Sequence, residues 1–130
     1  MTRGDTRTIV FGGPAPEIVC ICATGAWQWQ VQTVIESVTL AGGIVVHPTV
    51  FASLPPVGSS RRGRLEEKHQ ELQFRRIDIA DRVVVIKSGS GAIGALLQKQ
   101  VDYAEAQQIP VSYQEFVDGQ RLEYTETDSL

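Results

Sequence analysis

The chain has 130 residues, which suits one domain with a core of its own. Its composition, 42% hydrophobic and 21% charged, is that of an ordinary globular protein. We find no apolar run long enough to cross a bilayer and no signal peptide, so we expect a cytoplasmic protein without a membrane partner. The net charge of −3 lacks the basic excess that is typical of nucleic-acid-binding proteins.

The first third of the chain predicts an arm, a strand and a helix. Residues 1–16 hold charged and small residues and predict an N-terminal arm or a short extra strand. Residues 17–23, EIVCICA, are apolar and β-prone, which predicts a buried strand. Apolar residues then recur at helical spacing, and the pair Gly42-Gly43 is typical of a helix end. The apolar positions of this helix are Trp27, Val31, Val34, Ile35, Val38 and Ala41.

The middle of the chain continues the alternation. IVVHP, residues 44–48, predicts a second strand that ends at Pro48. A Pro/Gly/Ser-rich loop leads to a helix at roughly 64–79. RVVVIK, residues 82–87, predicts a third strand, and its continuous β-branched residues indicate burial on both faces.

The last part of the chain adds a helix and a strand. Ile93, Leu97, Val101 and Ala104 mark the inner stripe of the helix, and residues 109–113, IPVSY, predict the strand. Residues 114–130 form an acidic tail, whose Val-Asp-Gly run suits a hairpin turn. Strands that alternate with helices predict parallel pairing with right-handed crossovers. We therefore expect an α/β fold, a flavodoxin- or Rossmann-like three-layer sandwich with a parallel sheet of four to five strands.

In such a sheet, ligands bind outside the carboxyl ends of the strands. Three loops meet there: ATGAW after the first strand, HPTVFASLPPVGSSRR after the second and KSGSGAIG after the third. The third combines glycines with a helix N-terminus, which favours an anion, although ordinary turn chemistry also explains it. An arginine pair on a flexible arm suits a phosphate, or else only keeps the loop soluble. The predicted ligand-binding residues are Thr24, Gly25, Trp27, Arg61, Arg62, Lys87, Ser88, Gly89, Ser90, Gly91 and Gly94.

Cys20 and Cys22 are the two cysteines of the chain, and they are adjacent on one face of the first predicted strand. Neighbours on one strand face are poorly placed for a disulfide, and two thiols alone make a poor zinc site. The sequence therefore predicts two buried, reduced thiols and neither a metal site nor a cofactor.

Four segments, IVCICATGAW, GGIVVHPTVF, HQELQFRRIDIADRVVVI and GAIGALLQKQVDYAEAQQIPVSY, resemble the small nucleoside 2-deoxyribosyltransferase-like proteins in order and spacing. The resemblance covers residues 17–113, which defines the expected domain. It implies a flavodoxin-like fold, a dimer or higher homo-oligomer, and cleavage of N-glycosidic bonds in nucleosides or nucleotides. The family uses a glutamate nucleophile near the start of a late helix, in a pattern such as YIGxSTxxEIxYA.

The chain departs from that pattern at its reactive positions. Alignment puts Ala92 at the tyrosine, Leu96 and Leu97 at the Ser-Thr pair, and Gln100 at the glutamate. An amide lacks the nucleophilicity and negative charge that the reaction needs, although it can still bind a sugar hydroxyl or a base edge. The two leucines suggest a drier pocket. Asp102 is expected to face away from Gln100, because two residues correspond to about 200° around a helix.

Three functions remain open. The first is a nucleoside- or nucleotide-binding protein with lost or much reduced glycosidic cleavage. The second is an active N-glycosidase or transferase with a rearranged mechanism, using His47 as acid or base, or a carboxylate from a neighbouring subunit; His47 also suits a purely structural role. The third is a non-catalytic scaffold whose Trp27, Trp29 and leucine pair pack against a partner.

Overall fold

The structure is a computed structural model that describes residues 15–23, 28–48, 54–88 and 93–116. These ranges contain four strands and three helices in strict alternation. The strands are β1 (Ile18–Cys22), β2 (Ile44–Val46), β3 (Arg82–Ser88) and β4 (Val111–Phe116). The helices are α1 (Gln28–Leu40), α2 (Ser60–Asp78) and α3 (Ala95–Ala106). No helix in the described ranges is both long and apolar enough to span a membrane.

All four strands pair in parallel, in the order β2-β1-β3-β4. Val83–Ile86 of β3 are buried throughout, as the run of β-branched residues predicts. The helices lie on both faces of the sheet, so the predicted α/β sandwich of the Rossmann or flavodoxin type is confirmed. The described part of the sheet has four strands.

Each face of the sheet has its own apolar core. On one face, β1 and β3 pack against α2 and α3, around Ile77, Leu97 and Val101. On the other face, the alternate residues of the same strands pack against Val34 and Val38 of α1 and against Phe116 of β4. Side-chain alternation along β1 places Cys20 and Cys22 on the α2 face, as expected.

The glycine pair after α1 acts as predicted. Gly42 has φ +91°, in the left-handed region where other residues are strained, so it ends the helix. Gly43 lies so close to the helix that an added Cβ would come within 2.8 Å of Cγ1 of Val38. The chain therefore turns tightly from α1 into β2.

Helix α2 begins earlier than the sequence predicts. It starts at Ser60 and not near residue 64, because the side chain of Ser59 caps it by accepting a hydrogen bond from the backbone N–H of Arg62. Arg61 and Arg62 therefore lie in the first helical turn. The prediction that they sit on a flexible arm is wrong.

Strand β4 is shifted along the chain relative to the predicted 109–113. Gln108 adopts φ 60°, and the backbone N–H of Ile109 donates to the carbonyl of Ala104 at 3.0 Å, so these residues close the end of α3. The strand starts at Val111 and continues to Phe116, whose ring meets the Trp29 ring edge-on at 5.2 Å.

Candidate functional site

The strand order changes direction between β1 and β3. From β1 the chain crosses to β2 on one side, whereas from β3 it crosses to β4 on the other. In open parallel sheets, a crevice forms outside the carboxyl ends of the two strands where the order reverses. Here those ends are Cys22 and Ser88, which are the last residues of β1 and β3.

Helix α2 brings polar side chains to this edge. Nε2 of Gln73 donates a hydrogen bond to the Ile21 carbonyl at 2.9 Å and lies 3.3 Å from Sγ of Cys22, so it stands level with the last two residues of β1. The helix runs antiparallel to the strands, because its far end lies next to Asp81, whose carboxylate binds the N–H of Ile18 at the start of β1. Gln70 is three residues nearer the start of the helix, about 4.5 Å along its axis, and therefore lies at or beyond the carboxyl end of β1.

We use the name amide cluster for three glutamines, Gln70 and Gln73 of α2 and Gln100 of α3, of which Gln70 and Gln100 bond to each other. Nε2 of Gln100 donates to Oε1 of Gln70 at 2.8 Å, and Nε2 of Gln70 donates to the carbonyl of Leu96 at 3.2 Å. Gln100 is 5% exposed, and its Oε1 accepts no hydrogen bond from the residues that the structure describes. A buried acceptor without a partner costs about 1–3 kcal/mol, so its retention calls for an explanation.

An aromatic contact between Phe74 and Tyr103 holds α2 against α3. The rings of Phe74 and Tyr103 stack with their centroids 4.5 Å apart, and the Tyr103 hydroxyl donates to Asp78 at 2.6 Å. This hydrogen bond, and then burial, raise the pKa of Tyr103 above its ordinary value. The contact holds the two helices at the spacing at which Gln70 and Gln100 meet.

The thiols of Cys20 and Cys22 lie next to the Gln73 amide. Nε2 of Gln73 lies 3.5 Å from Sγ of Cys20, and Arg76 donates to Oε1 of Gln73 at 3.1 Å. The hydrogen bond between the two thiols raises the pKa of Cys20, with burial adding to it, and the same bond lowers the pKa of Cys22. Both cysteines are free and fully buried, so the prediction of two buried, reduced thiols is confirmed.

Two predicted ligand-binding residues lie where the sequence suggests. Gly94 is the N-cap of α3 and has no side chain, so the first-turn N–H groups of this helix donate to no side-chain acceptor on their cap residue. Lys87 is the next-to-last residue of β3, and its Nζ lies 3.6 Å from the Glu115 carboxylate. Among residues 15–23, 28–48, 54–88 and 93–116, no three His, Cys, Asp or Glu side chains converge to hold a metal ion.

Arg62 and His47 make contacts with residues close to them in the sequence. Nη1 of Arg62 donates to the carbonyl of Pro55 at 3.0 Å, and its Nε lies 3.8 Å from Glu66. The Arg61 side chain is exposed. His47 is also exposed, with its Nδ1 2.9 Å from the carbonyl of the next residue, Pro48. The phosphate clamp and the acid–base role of His47 stay predictions.

Several predicted residues lie outside the described part of the chain. They are Thr24, Gly25, Trp27, Gly89, Ser90 and Gly91. Ser88 is described as part of β3 through its backbone. The acidic tail beyond Phe116, the source of the carboxylate in the second hypothesis, also lies outside the described residues.

The leucine pair does not form one wall of a dry pocket. Leu97 is 2% exposed and belongs to the core between α3 and the sheet, whereas Leu96 is 45% exposed. Leu96 lines a groove of about 540 Å³ between α2 and α3, together with Gln70 and Phe74. Leu97 therefore does not line that groove, because consecutive helical residues face different sides, and the expected drier ligand pocket stays a prediction. Asp102 faces solvent and accepts from Gln98, as predicted.

Sequence reasoning missed Gln70 and Gln73. Gln73 precedes the buried Ile77 by four residues, so it shares the inner face of α2, and this spacing is the signal that could have found it. Gln70 lies one turn further toward the sheet edge.

Comparison with protein-family models, curated proteins and solved structures finds no match to this chain.

Proposed function

We propose that the protein binds a nucleoside or nucleotide at the carboxyl edge of its sheet and that cleavage of the N-glycosidic bond is lost or much reduced. The observation that carries the proposal is the buried amide of Gln100. It replaces the carboxylate expected from the family resemblance, it is held by Gln70, and its oxygen has no partner among the described residues.

The chemistry of the cluster favours binding over turnover. Amides recognise sugar hydroxyls and base edges, because each offers both a donor and an acceptor. An amide at this place forms no glycosyl ester and gives no negative charge to an oxocarbenium-like transition state. The first-turn amides of α3 and the ammonium group of Lys87 would suit a phosphate at the same edge.

The test combines binding with an assay for base release. Thermal unfolding is measured with adenosine, guanosine, cytidine and uridine and with their 5′-monophosphates, and each mixture is then analysed for free base by chromatography. We expect at least one compound to raise Tm, with base release at background in the unmodified protein. Base release well above background would favour the rearranged enzyme, with His47→Ala as the next variant, and no change in Tm with any compound would favour the scaffold.

The proposal extends to assembly and location. A homodimer or higher homo-oligomer is what the family resemblance implies, and a cytoplasmic location is our expectation from the sequence, which shows no membrane-spanning run. Light scattering of the purified protein gives the oligomeric state directly, and a monomer across the micromolar range would remove that part of the proposal.

A further inference from the structure

A backbone carbonyl sets the direction of both amides in the Gln70–Gln100 pair. The carbonyl of Leu96 can only accept, so the amide of Gln70 must present its N–H to it at 3.2 Å. The oxygen of Gln70 then points the other way and accepts from Nε2 of Gln100 at 2.8 Å. Gln100 in turn must direct its Oε1 away from Gln70. The orientation of the Gln100 amide therefore follows from the helix geometry.

The result is a buried acceptor of fixed direction. Oε1 of Gln100 is shielded from solvent and has no hydrogen-bond partner within the described residues. The neighbouring donor of the amide cluster is already used, because Nε2 of Gln73 donates to the Ile21 carbonyl at 2.9 Å. A ligand that presents a donor to this oxygen is favoured over one that presents an acceptor or an apolar group. Either of the last two would leave the oxygen without a hydrogen bond.

We propose that Gln70 is a positioning residue that determines specificity, because it aims Oε1 of Gln100 at a neutral hydrogen-bond donor of the ligand. The inference rests on the proposed function, which supplies the nucleoside class. Two groups of a nucleoside carry the required chemistry, a ribose hydroxyl and an exocyclic amine of the base. The site then selects nucleosides that present one of these groups at this place and disfavours those that lack it.

The first experiment removes single donors from the probe. Calorimetric titration of the full chain uses adenosine, 2′-deoxyadenosine, 3′-deoxyadenosine and N6,N6-dimethyladenosine, and the matching cytidine series. We expect one deletion to weaken binding by about tenfold to a hundredfold, which identifies the sugar or the base as the source of the donor. If the parent nucleoside of a series binds and all its analogues bind with the same affinity, the inference is overturned while the proposed function stays intact. If another compound of the thermal-unfolding panel binds instead, the same donor deletions are made on that compound. If no compound of the panel binds, the proposed function fails and the inference fails with it.

Two variants of Gln100 and Gln98 link the effect to the amide oxygen. Gln100→Leu removes the acceptor, so we expect it to erase the difference between the parent nucleoside and the weakened analogue. Gln98→Leu, on the exposed side of the same helix, is the matched control and should leave that difference unchanged. A difference that persists in Gln100→Leu would overturn the inference.

Variants of Gln70 test the positioning role. Gln70→Glu keeps an acceptor for the Gln100 amide and should keep the preference for a donor. Gln70→Lys offers only donors, so the Gln100 amide should turn and the preference between analogues should fall below about threefold. A merely structural role would weaken all analogues equally. An experimental structure in which a group of the chain itself donates to Oε1 of Gln100 would overturn the inference whatever the titrations show.

Discussion

Gln100→Glu should destabilise the protein, and the loss should grow with pH. The variant exchanges the donor Nε2 for an acceptor that faces Oε1 of Gln70, so it loses the 2.8 Å hydrogen bond, worth about 1 kcal/mol. It also places a carboxyl group where the native side chain is 5% exposed. Burial of this kind raises the pKa of a carboxyl group by roughly 2 units or more. Each unit corresponds to about 1.4 kcal/mol, which gives about 3 kcal/mol for the burial of the charge.

The sign of the pH dependence follows from linkage. The folded-state pKa of the new carboxyl lies above the unfolded value of about 4.3, so the native state keeps a proton that the unfolded chain has lost. The extra penalty is absent below about pH 4.3, and it grows as the pH rises toward the folded-state pKa. At pH 5 the protonated group can still donate to Gln70, and the linkage penalty alone gives a loss of about 1 kcal/mol. At pH 8 the full penalty and the lost hydrogen bond together give about 3–4 kcal/mol.

Urea denaturation at pH 5 and pH 8 measures both values. Gln98→Glu is the matched control, since it adds the same charge on the exposed side of α3. It exchanges the hydrogen bond to Asp102 for an exposed like-charge pair and should lower the free energy of unfolding by no more than about 1 kcal/mol. If Gln100→Glu were as stable as the control at pH 8, the site would tolerate a carboxylate. Our account of a cluster built for a neutral amide would then be refuted.

Three further outcomes follow from the packing. Gln73→Leu leaves a strand carbonyl without its donor and should lower the free energy of unfolding by about 1–3 kcal/mol in urea denaturation; an unchanged value would contradict the buried amide. Leu97→Ala should cost about 2–5 kcal/mol, whereas Leu96→Ala should cost less than about 1 kcal/mol, and equal losses would contradict their placement. Tyr103 should ionise above the ordinary pKa of tyrosine in a spectroscopic titration, and Asp78→Asn should lower it. The stability that the protonated Tyr103 hydroxyl contributes is complete below about pH 10, and it is lost as the pH rises through the folded-state pKa of Tyr103.

The fold follows from patterns that are local in sequence. The β-branched run at 82–87 indicates a strand buried on both faces, and the structure buries Val83–Ile86. The glycine pair after α1 marks a helix end, and Gly42 has the positive φ that such an end requires. Signals of this kind depend on spacing and on residue type alone, so they can be recognised without knowledge of the neighbours.

Element boundaries depend on weaker signals. The arginines after Ser59 suggested a loop kept soluble by charge, yet the Ser59 hydroxyl caps the helix and brings them into its first turn. At the carboxyl end of α3, the N–H of Ile109 donates to the carbonyl of Ala104, so a residue predicted to start the last strand belongs to the end of the helix. One capping contact therefore moves a boundary by several residues.

The site depends on partners that are far apart in sequence. Position 100 is identified by the resemblance, but the role of its amide depends on Gln70, which lies 30 residues away on another helix. Leu96 and Leu97 differ in this respect, because the apolar stripe of α3 already marks Leu97 as the core residue. The pairing of Gln70 with Gln100 has no such stripe. Tertiary contacts of this kind leave no local pattern to find.

The most direct test of nucleoside binding at Gln70 and Gln100 is an NMR titration that follows the side-chain amides of the glutamines. The protein is labelled with 15N, the amide signals are assigned with single variants, and the nucleoside or nucleotide that raises Tm most is added. We expect the signals of Gln70 and Gln100 to move while that of the exposed Gln98 stays in place. Shifts confined to Gln98 or to the edge-strand residue Gln114, or no shift with any compound of the panel, would contradict this expectation.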